Sequence, residues 1–186
     1  MTSPATVGSR EQPRLFFGLP LPGDVAEALS RWQADAFGSA RGVRIVPPPH
    51  LHVTLAFLGA RPAGELPLLC EALHEAAAGI RRPVLTVARY RETQRVAMLV
   101  LDDEDGRAGL LEARLSERLE RLGAYRPERR PWLAHVTVAR FRSRPGLRPD
   151  LPEPGPVSPS EAALYHSVLR PSGAQYDIVE SVALGG

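Results

Sequence analysis

Two copies of one tripeptide constrain the fold of this 186-residue chain more than any other feature. His52-Val-Thr54 lies within the apolar run HLHVTLAFLG, and His135-Val-Thr137 lies within WLAHVTVARF. The whole chain has only five His and six Thr, so the repeat is not a product of composition. Residues i and i+2 of a strand point to the same face, so each copy predicts a strand that presents an imidazole beside a hydroxyl.

The two predicted strands would bring two His and two Thr to one cleft if they lie side by side. Such a site holds an acid, a base and two neutral hydrogen-bond donors, which suits attack on a phosphodiester. One imidazole would remove a proton from the nucleophile and the other would protonate the departing oxygen, while the hydroxyls would hold the non-bridging oxygens. The alternative is structural, with two histidines satisfied in a core and two threonines that merely favour strands.

The rest of the chain alternates short apolar runs with helical periodicity. Strands are predicted at 14–20, 43–46, 51–58, 84–90, 96–101, 132–141, 162–169 and 176–184, and helices at 25–36, 66–77 and 105–122. Residues 143–160 contain six prolines and predict an extended loop, and residues 1–13 predict a flexible tail before a single domain at 14–186. Because no regular βαβ order is present, an antiparallel or mixed α+β fold is expected.

Charge and cysteine content exclude several classes of protein. The 23 basic residues are all Arg and exceed the 21 acidic residues by two, which is too balanced for a non-specific nucleic-acid binder. Eight Arg and one acidic residue lie between Arg121 and Arg148, a segment that would either attract a polyanion or form a solvated face. The single Cys70 excludes an internal disulfide and fits a reducing cytoplasm. No apolar run reaches the length of a membrane span.

The chain resembles the 2H phosphoesterases, and among them the bacterial and archaeal RNA 2′,3′-cyclic phosphodiesterases, also described as 2′-5′ RNA ligases. The resemblance rests on both tripeptides, the opening run RLFFGLPLP, the block RPWLAHVTVAR and the closing run LYHSVL. It implies a two-lobed, pseudo-twofold α+β fold, with antiparallel or mixed sheets lining a central cleft and helices outside. His52 and His135 are 83 positions apart, which agrees with one motif in each half.

The resemblance also implies the site residues. His52 would donate a proton to the leaving 3′ oxygen and His135 would activate water, while Thr54 and Thr137 would hold the phosphate. Arg140 would contact the phosphate, although its odd offset from His135 points it away from the cleft on a straight strand, where it would instead form a structural ion pair. Phe17 and His50 are candidates for contact with a base or with RNA, and no metal or other cofactor is expected.

The implied activity is hydrolysis of RNA 2′,3′-cyclic phosphate ends to 2′-phosphates, with weak reverse 2′-5′ ligation at the same site. The expected partners are RNA ends, tRNA fragments among them, for a cytoplasmic monomer without a membrane partner. Two alternatives stay open at this stage. One is a phosphodiesterase for a small cyclic nucleotide of the ADP-ribose cyclic phosphate type, and the other is a module that binds a nucleotide or RNA end without turning it over.

Overall fold

Eight β-strands and three α-helices form within residues 12–170 and 173–185, the part of the chain that the computed structural model describes. In chain order they are β1 (Arg14–Pro20), α1 (Gly23–Phe37), β2 (Val43–Ile45), β3 (His52–Ala60), α2 (Leu66–Ala77), β4 (Leu85–Glu92), β5 (Val96–Asp103), α3 (Arg107–Arg121), β6 (His135–Phe141), β7 (Glu161–Arg170) and β8 (Gly173–Ala183). The predicted strand at 132–141 begins three residues late, at His135. The α+β class is confirmed.

A single sheet contains all of these strands. Its order is β4-β5-β6-β3-β1-β7-β8, with β2 added beside β6, and every pair of these strands is antiparallel. The antiparallel alternative of the sequence analysis is therefore correct. The sheets of the two halves join into one, because backbone pairing continues from one half to the other at a single residue pair.

The two halves repeat one unit of strand, helix and returning strand. In the first unit β1 leads through α1 to β3, which pairs with β1, and in the second β5 leads through α3 to β6, which pairs with β5. Each returning strand carries one His-x-Thr tripeptide. This repetition gives the expected pseudo-twofold relation between the halves.

The halves meet where β3 pairs with β6. The pairing there consists of one residue pair, Val53 with Val136, which are the central residues of the two tripeptides. An antiparallel register at that point sets His52 across from Thr137 and Thr54 across from His135. The four side chains therefore lie around the pseudo-twofold axis.

The helices cover one face of the sheet only. Their apolar side chains form a core with one face of the strands, and this core includes Leu29 of α1, Leu73 of α2 and Leu115 of α3 together with Val53 and Val136. Side chains alternate along a strand, so residues on either side of a buried valine point to the opposite, uncovered face. The fold thus directs the His and Thr side chains away from the helices, as expected for a cleft with helices outside.

The Pro-rich loop at 143–160 has no helix or strand, as predicted, and is fixed by a buried carboxylate. Glu92 accepts hydrogen bonds from the Arg144 side chain at 3.1 Å and from the backbone amides of Gly146 and Leu147 at 3.0 and 2.9 Å. These contacts, with the Tyr90 hydroxyl at 2.7 Å, hold the pKa of Glu92 below its usual range despite burial, which would raise it.

Two further expectations concern the N-terminal tail and membrane spans. Residues 1–11 of the predicted flexible tail lie outside the described residues. Pro13 is buried, and its carbonyl accepts a hydrogen bond from the Arg61 amide at 3.0 Å. In the described ranges, none of the helices is long and apolar enough to cross a membrane.

Candidate active site

The two motif strands have the same pattern of burial over their first six residues. In both, the His and the Thr are half-buried, the valine between them is buried, two further buried residues follow, and the sixth residue is exposed. His52, Thr54, His135 and Thr137 therefore share the uncovered face of the sheet. The structure brings together the four residues on which the sequence analysis depended.

A backbone carbonyl fixes each imidazole. Nδ1 of His52 lies 2.7 Å from the carbonyl oxygen of His50, and Nδ1 of His135 lies 2.7 Å from that of Leu133. A carbonyl oxygen can only accept, so Nδ1 carries the proton in both neutral rings. Nε2 is then left as the nitrogen that accepts or donates a proton at the cleft.

The ring of His52 packs against three aromatic rings. Its ring centroid lies 4.8 Å from that of Phe16, 5.6 Å from Tyr176 and 5.9 Å from Tyr165. Gly18, on the neighbouring strand, leaves room for the ring, because a Cβ there would lie 3.2 Å from Cδ2 of His52. A larger residue at this position would crowd the Val53 carbonyl oxygen, 3.0 Å from that Cβ, as well as the imidazole.

The pKa of His52 reflects this environment. It is lowered to about 4 in total, with burial as the largest cause, while the hydrogen bond to the His50 carbonyl raises it and the charges of Arg140, His135 and His50 lower it. The neutral form of His52 is therefore favoured in the free protein. An anion beside Nε2 would have the opposite effect and would favour the protonated form.

His135 faces a more open space. It lines a cavity of about 670 Å³ together with Thr54, Phe57 and Met98. The Trp132 indole, on the loop before β6, donates a hydrogen bond to the Thr54 carbonyl at 3.0 Å and so ties the second motif to the first. Of the two imidazoles, His135 lines this cavity and His52 does not.

The structure corrects the direction expected for Arg140. Met98 of β5 pairs with Thr137 and Ala97 pairs with Ala139, so Val138 is an extra residue, a β-bulge. A bulge shifts the alternation by one residue, which returns Arg140 to the face of Thr137. Arg140 is exposed there, and in the described part of the chain it has no ion-pair partner, so the expected alternative of a structural ion pair is not seen.

An equivalent bulge in β3, in the first half, reveals a residue that the sequence analysis missed. Gly18 pairs with Thr54 and Phe17 with Ala56, so Leu55 is the extra residue and Phe57 turns to the cleft face. Phe57 thus occupies the position in its strand that Arg140 occupies in β6. Its ring is 52 % exposed and lines the cavity beside Thr54 and His135. The shared offset from the His of each motif is the signal that could have identified it.

Phe17 and His50, the two residues predicted to contact a base or RNA, lie in different surroundings. Phe17 is fully buried in the core, so the prediction that its side chain contacts a base is wrong. Its neighbour Phe16 points to the cleft face, because consecutive strand residues face opposite ways, and packs on His52. His50 packs its ring 4.6 Å from that of Tyr176 and positions His52 through its carbonyl, while an RNA contact of its ring stays a prediction.

The bulge at Val138 is held by a buried amide. Gln33 lies among apolar residues on the inner face of α1 and is 0 % exposed. Its Nε2 donates to the Val138 carbonyl at 2.6 Å and to the Val46 carbonyl at 3.0 Å. A buried amide is costly unless it is hydrogen-bonded, and here only Nε2 is bonded, since Oε1 is buried without a hydrogen-bond partner among the described residues. The two Nε2 contacts tie Gln33 to the bulge that orients Arg140.

Gln33→Leu is expected to lower both stability and activity. Removing the amide takes one donor from the Val46 carbonyl and one from the Val138 carbonyl, which keeps the Val46 backbone amide at 3.0 Å, so the free energy of unfolding should fall by about 0.5–1.5 kcal/mol. Arg140 then loses its fixed direction, so activity at this site should fall about 10-fold. Urea unfolding and kcat/KM measure the two effects. In an Arg140→Ala background the same substitution should lower stability without a further loss of activity. A further loss of equal size would show that Gln33 does not act on activity through Arg140.

The Arg-rich segment from Arg121 to Arg148 divides between two environments. Arg130 pairs with Glu128 at 3.3 Å and Arg144 pairs with Glu92. Arg140 and Arg142, by contrast, line a second cavity. The segment is therefore not a uniform solvated face.

Metal-ligating side chains do not form a cluster near the two motifs. Within residues 12–170 and 173–185, no three side chains of His, Cys, Asp or Glu lie together in a way that could hold a metal ion. The two motif strands instead place two imidazoles, two hydroxyls and one guanidinium on the uncovered face of the sheet.

Comparison with known proteins decides the family. The RNA 2′,3′-cyclic phosphodiesterase of Thermus thermophilus is 33 % identical to this chain, with 93 % of the chain and 91 % of the relative covered. The family model described as LigT-like phosphoesterase matches residues 19–94. The chain belongs to the LigT-like phosphoesterases. The RNA 2′,3′-cyclic phosphodiesterase of Escherichia coli is 30 % identical to this LigT-like phosphoesterase over 94 % of its chain and 98 % of the relative.

Solved structures agree with this membership. A crystal structure from Thermus thermophilus superimposes with a TM-score of 0.79 at 30 % identity, covering 93 % of this chain and 98 % of that one. Escherichia coli LigT complexed with 3′-AMP gives a TM-score of 0.75 at 28 % identity, covering 95 % and 100 %. The two-half fold of this LigT-like phosphoesterase is therefore the fold of its family.

Proposed function

We propose that this protein hydrolyses the 2′,3′-cyclic phosphate at RNA ends to a 2′-phosphate by two-histidine acid–base catalysis. The observation that carries the proposal is the pair of imidazoles fixed through Nδ1 on one open face, each beside a threonine. Three relatives named RNA 2′,3′-cyclic phosphodiesterase support the substrate class. A module that only binds an RNA end would not need two imidazoles in equivalent positions, so catalysis is the preferred interpretation.

The environments of the two imidazoles suggest how the roles divide. His135 lines the open cavity, so its Nε2 would take the proton from a water molecule that attacks phosphorus. His52 packs among aromatic rings, and its Nε2 would deliver a proton to O3′ as the P–O3′ bond breaks. The products are a 2′-phosphate and a free 3′-hydroxyl, with a proton gained by His135 and one lost by His52, and solvent exchange restores both.

The other groups on the cleft face would stabilise charge and hold the nucleoside. Thr54 and Thr137 would donate to the non-bridging oxygens, and the Arg140 guanidinium would place two N–H donors on the same phosphate. Phe57 offers an exposed aromatic face beside the cavity, which suits stacking with a base. In the reverse direction the same acid and base would allow weak 2′-5′ ligation.

A product assay tests the proposal. A short RNA with a 2′,3′-cyclic phosphate end is incubated with the protein, with and without EDTA, and the position of the phosphate in the product is identified. A 2′-phosphate formed at equal rates in both samples is expected. A 3′-phosphate product, or no product, would contradict the proposal, and exclusive turnover of an ADP-ribose cyclic phosphate would favour the small-nucleotide alternative.

Titration of His52 is expected to depend on a bound phosphate. In the free protein the His52 pKa should be about 4, because burial disfavours the charged ring. A phosphate at the site adds a negative charge beside Nε2, so the His52 pKa should rise in the presence of 2′-AMP. NMR of the histidine ring signals measures both values, and the spectrum of a His52→Asn variant assigns the signal. The absence of a rise would mean that phosphate does not bind next to His52.

A further inference from the structure

A second cavity, of about 690 Å³, lies beside Arg140 and is lined mainly by arginine. We call it the arginine cavity, and its lining residues are Arg41, Gly42, Arg44, Arg140, Phe141, Arg142 and Ser143. The lining contains four guanidinium groups and no carboxylate. As far as the structure describes the chain, none of these four arginines forms an ion pair.

Two of these arginines face each other directly. Arg44 of β2 is the register partner of Arg140 of β6 in an antiparallel pair, and both side chains are exposed. Residues paired in this way point to the same face of the sheet, and like charges directly opposite each other are destabilising. The neighbouring residues of β2, Val43 and Ile45, pack on the core, so Arg44 points to the face of Arg140 and Thr137. The arginine cavity thus adjoins the catalytic cleft on the same side.

The amount of positive charge exceeds what the cyclic phosphate requires. A 2′,3′-cyclic phosphate is a diester with one negative charge, which Arg140 alone can match. Guanidinium groups suit phosphate oxygens because their N–H donors form a fixed fork. The cavity beside His135 is different, since its arginines share the lining with Glu112 and Glu128.

We propose that the arginine cavity binds a backbone phosphate of the RNA in addition to the cyclic phosphate. This inference rests on the proposed function and deepens it, because it names an oligonucleotide rather than a mononucleotide as the preferred substrate. A second phosphate between Arg44 and its neighbours relieves the repulsion of the facing pair. It also adds binding energy that a nucleoside 2′,3′-cyclic monophosphate cannot supply.

The test compares two substrates with the same terminal nucleoside, a 2′,3′-cyclic mononucleotide and a short RNA with the same cyclic end. Arg44→Ala is expected to lower kcat/KM for the RNA about 10-fold, mainly through KM, and to have a much smaller effect on the mononucleotide. The dependence of log kcat/KM on log salt for the RNA should become shallower by about one contact. Arg142→Ala, beyond the end of β6, should give the same pattern without a change in the sheet.

Arg121→Ala is the matched control, because Arg121 belongs to the same Arg-rich segment but lies on α3 and does not line the cavity. This control should leave both substrates unaffected. Equal losses on the two substrates in Arg44→Ala would mean that Arg44 acts on the cyclic phosphate and would overturn the inference. Wild-type kcat/KM for the RNA in both Arg44→Ala and Arg142→Ala would also overturn it. Failure of the wild-type protein to open either cyclic phosphate would instead remove the proposed function itself.

Discussion

Replacing either His52 or His135 by alanine is expected to reduce hydrolysis of a cyclic-phosphate RNA end by about 10²–10⁴-fold, the usual contribution of a general acid or base. The double variant should be little worse than the more damaged single variant, since both groups act in one proton-transfer sequence. Single-turnover rates measure the loss. Thermal unfolding checks that the strands persist, as both side chains point away from the core.

A substrate with a better leaving group separates the two roles. An aryl phosphodiester expels its aryloxide without a proton, so His52→Ala should lose much less activity on it than on the RNA end. His135→Ala should lose as much on both, because activation of water is still needed. The reverse pattern would exchange the two roles. His74→Ala is the control, since that histidine lies on α2 and pairs with Glu180 at 3.7 Å. It should retain full activity.

The strands and the shared face of the two motifs could be predicted because the signal is local. His52 and Thr54 are two residues apart, as are His135 and Thr137, and period-two alternation fixes their common face without knowledge of the rest of the fold. The family resemblance implied that both motif strands line one cleft. Sequence alone gives no register, and it is the Val53–Val136 pair that places each histidine across from the other motif's threonine.

The directions of Arg140 and Phe57 could not be obtained in this way, because a bulge changes the parity of a strand. A signal was nevertheless present in both motifs. Each threonine is followed by two consecutive apolar residues, Leu55-Ala56 and Val138-Ala139, which interrupt the alternation before the exposed residue. The prediction that Phe17 contacts a base was wrong for a related reason. Two adjacent phenylalanines must face opposite sides of β1, and only the packing of the helices decides which of them is buried.

The hydrogen bonds of Gln33 could not be predicted from the neighbouring sequence either. The amide lies on the apolar face of α1, where the sequence shows only one polar residue among hydrophobic ones. Its hydrogen-bond acceptors are the carbonyls of Val46 and Val138, one of them 105 residues away along the chain. A contact at this separation depends on the completed sheet, so the connection between α1 and the bulge of β6 appears only in the structure.

Arg140→Ala is expected to lower kcat/KM for the cyclic phosphate by about 10²–10³-fold, the loss typical of a donor that stabilises developing charge. Arg140→Lys should recover only part of this, because an ammonium keeps the charge but not the two-pronged contact. Phe57→Ala, at the equivalent position of β3, should have a smaller effect of about 10-fold, because it removes a stacking surface worth about 1–3 kcal/mol.

The Arg140 variants also test the bulge at Val138. With the bulge at Val138, Arg140 is exposed on the cleft face, so its loss should leave the melting temperature almost unchanged. On a strand without the bulge, residue 140 would face the helices, and alanine there would alter stability more than activity. A large fall in melting temperature with kcat/KM intact would therefore contradict the placement. Steady-state kinetics and thermal unfolding of the same preparations decide the matter, because the two geometries predict opposite orders of effect.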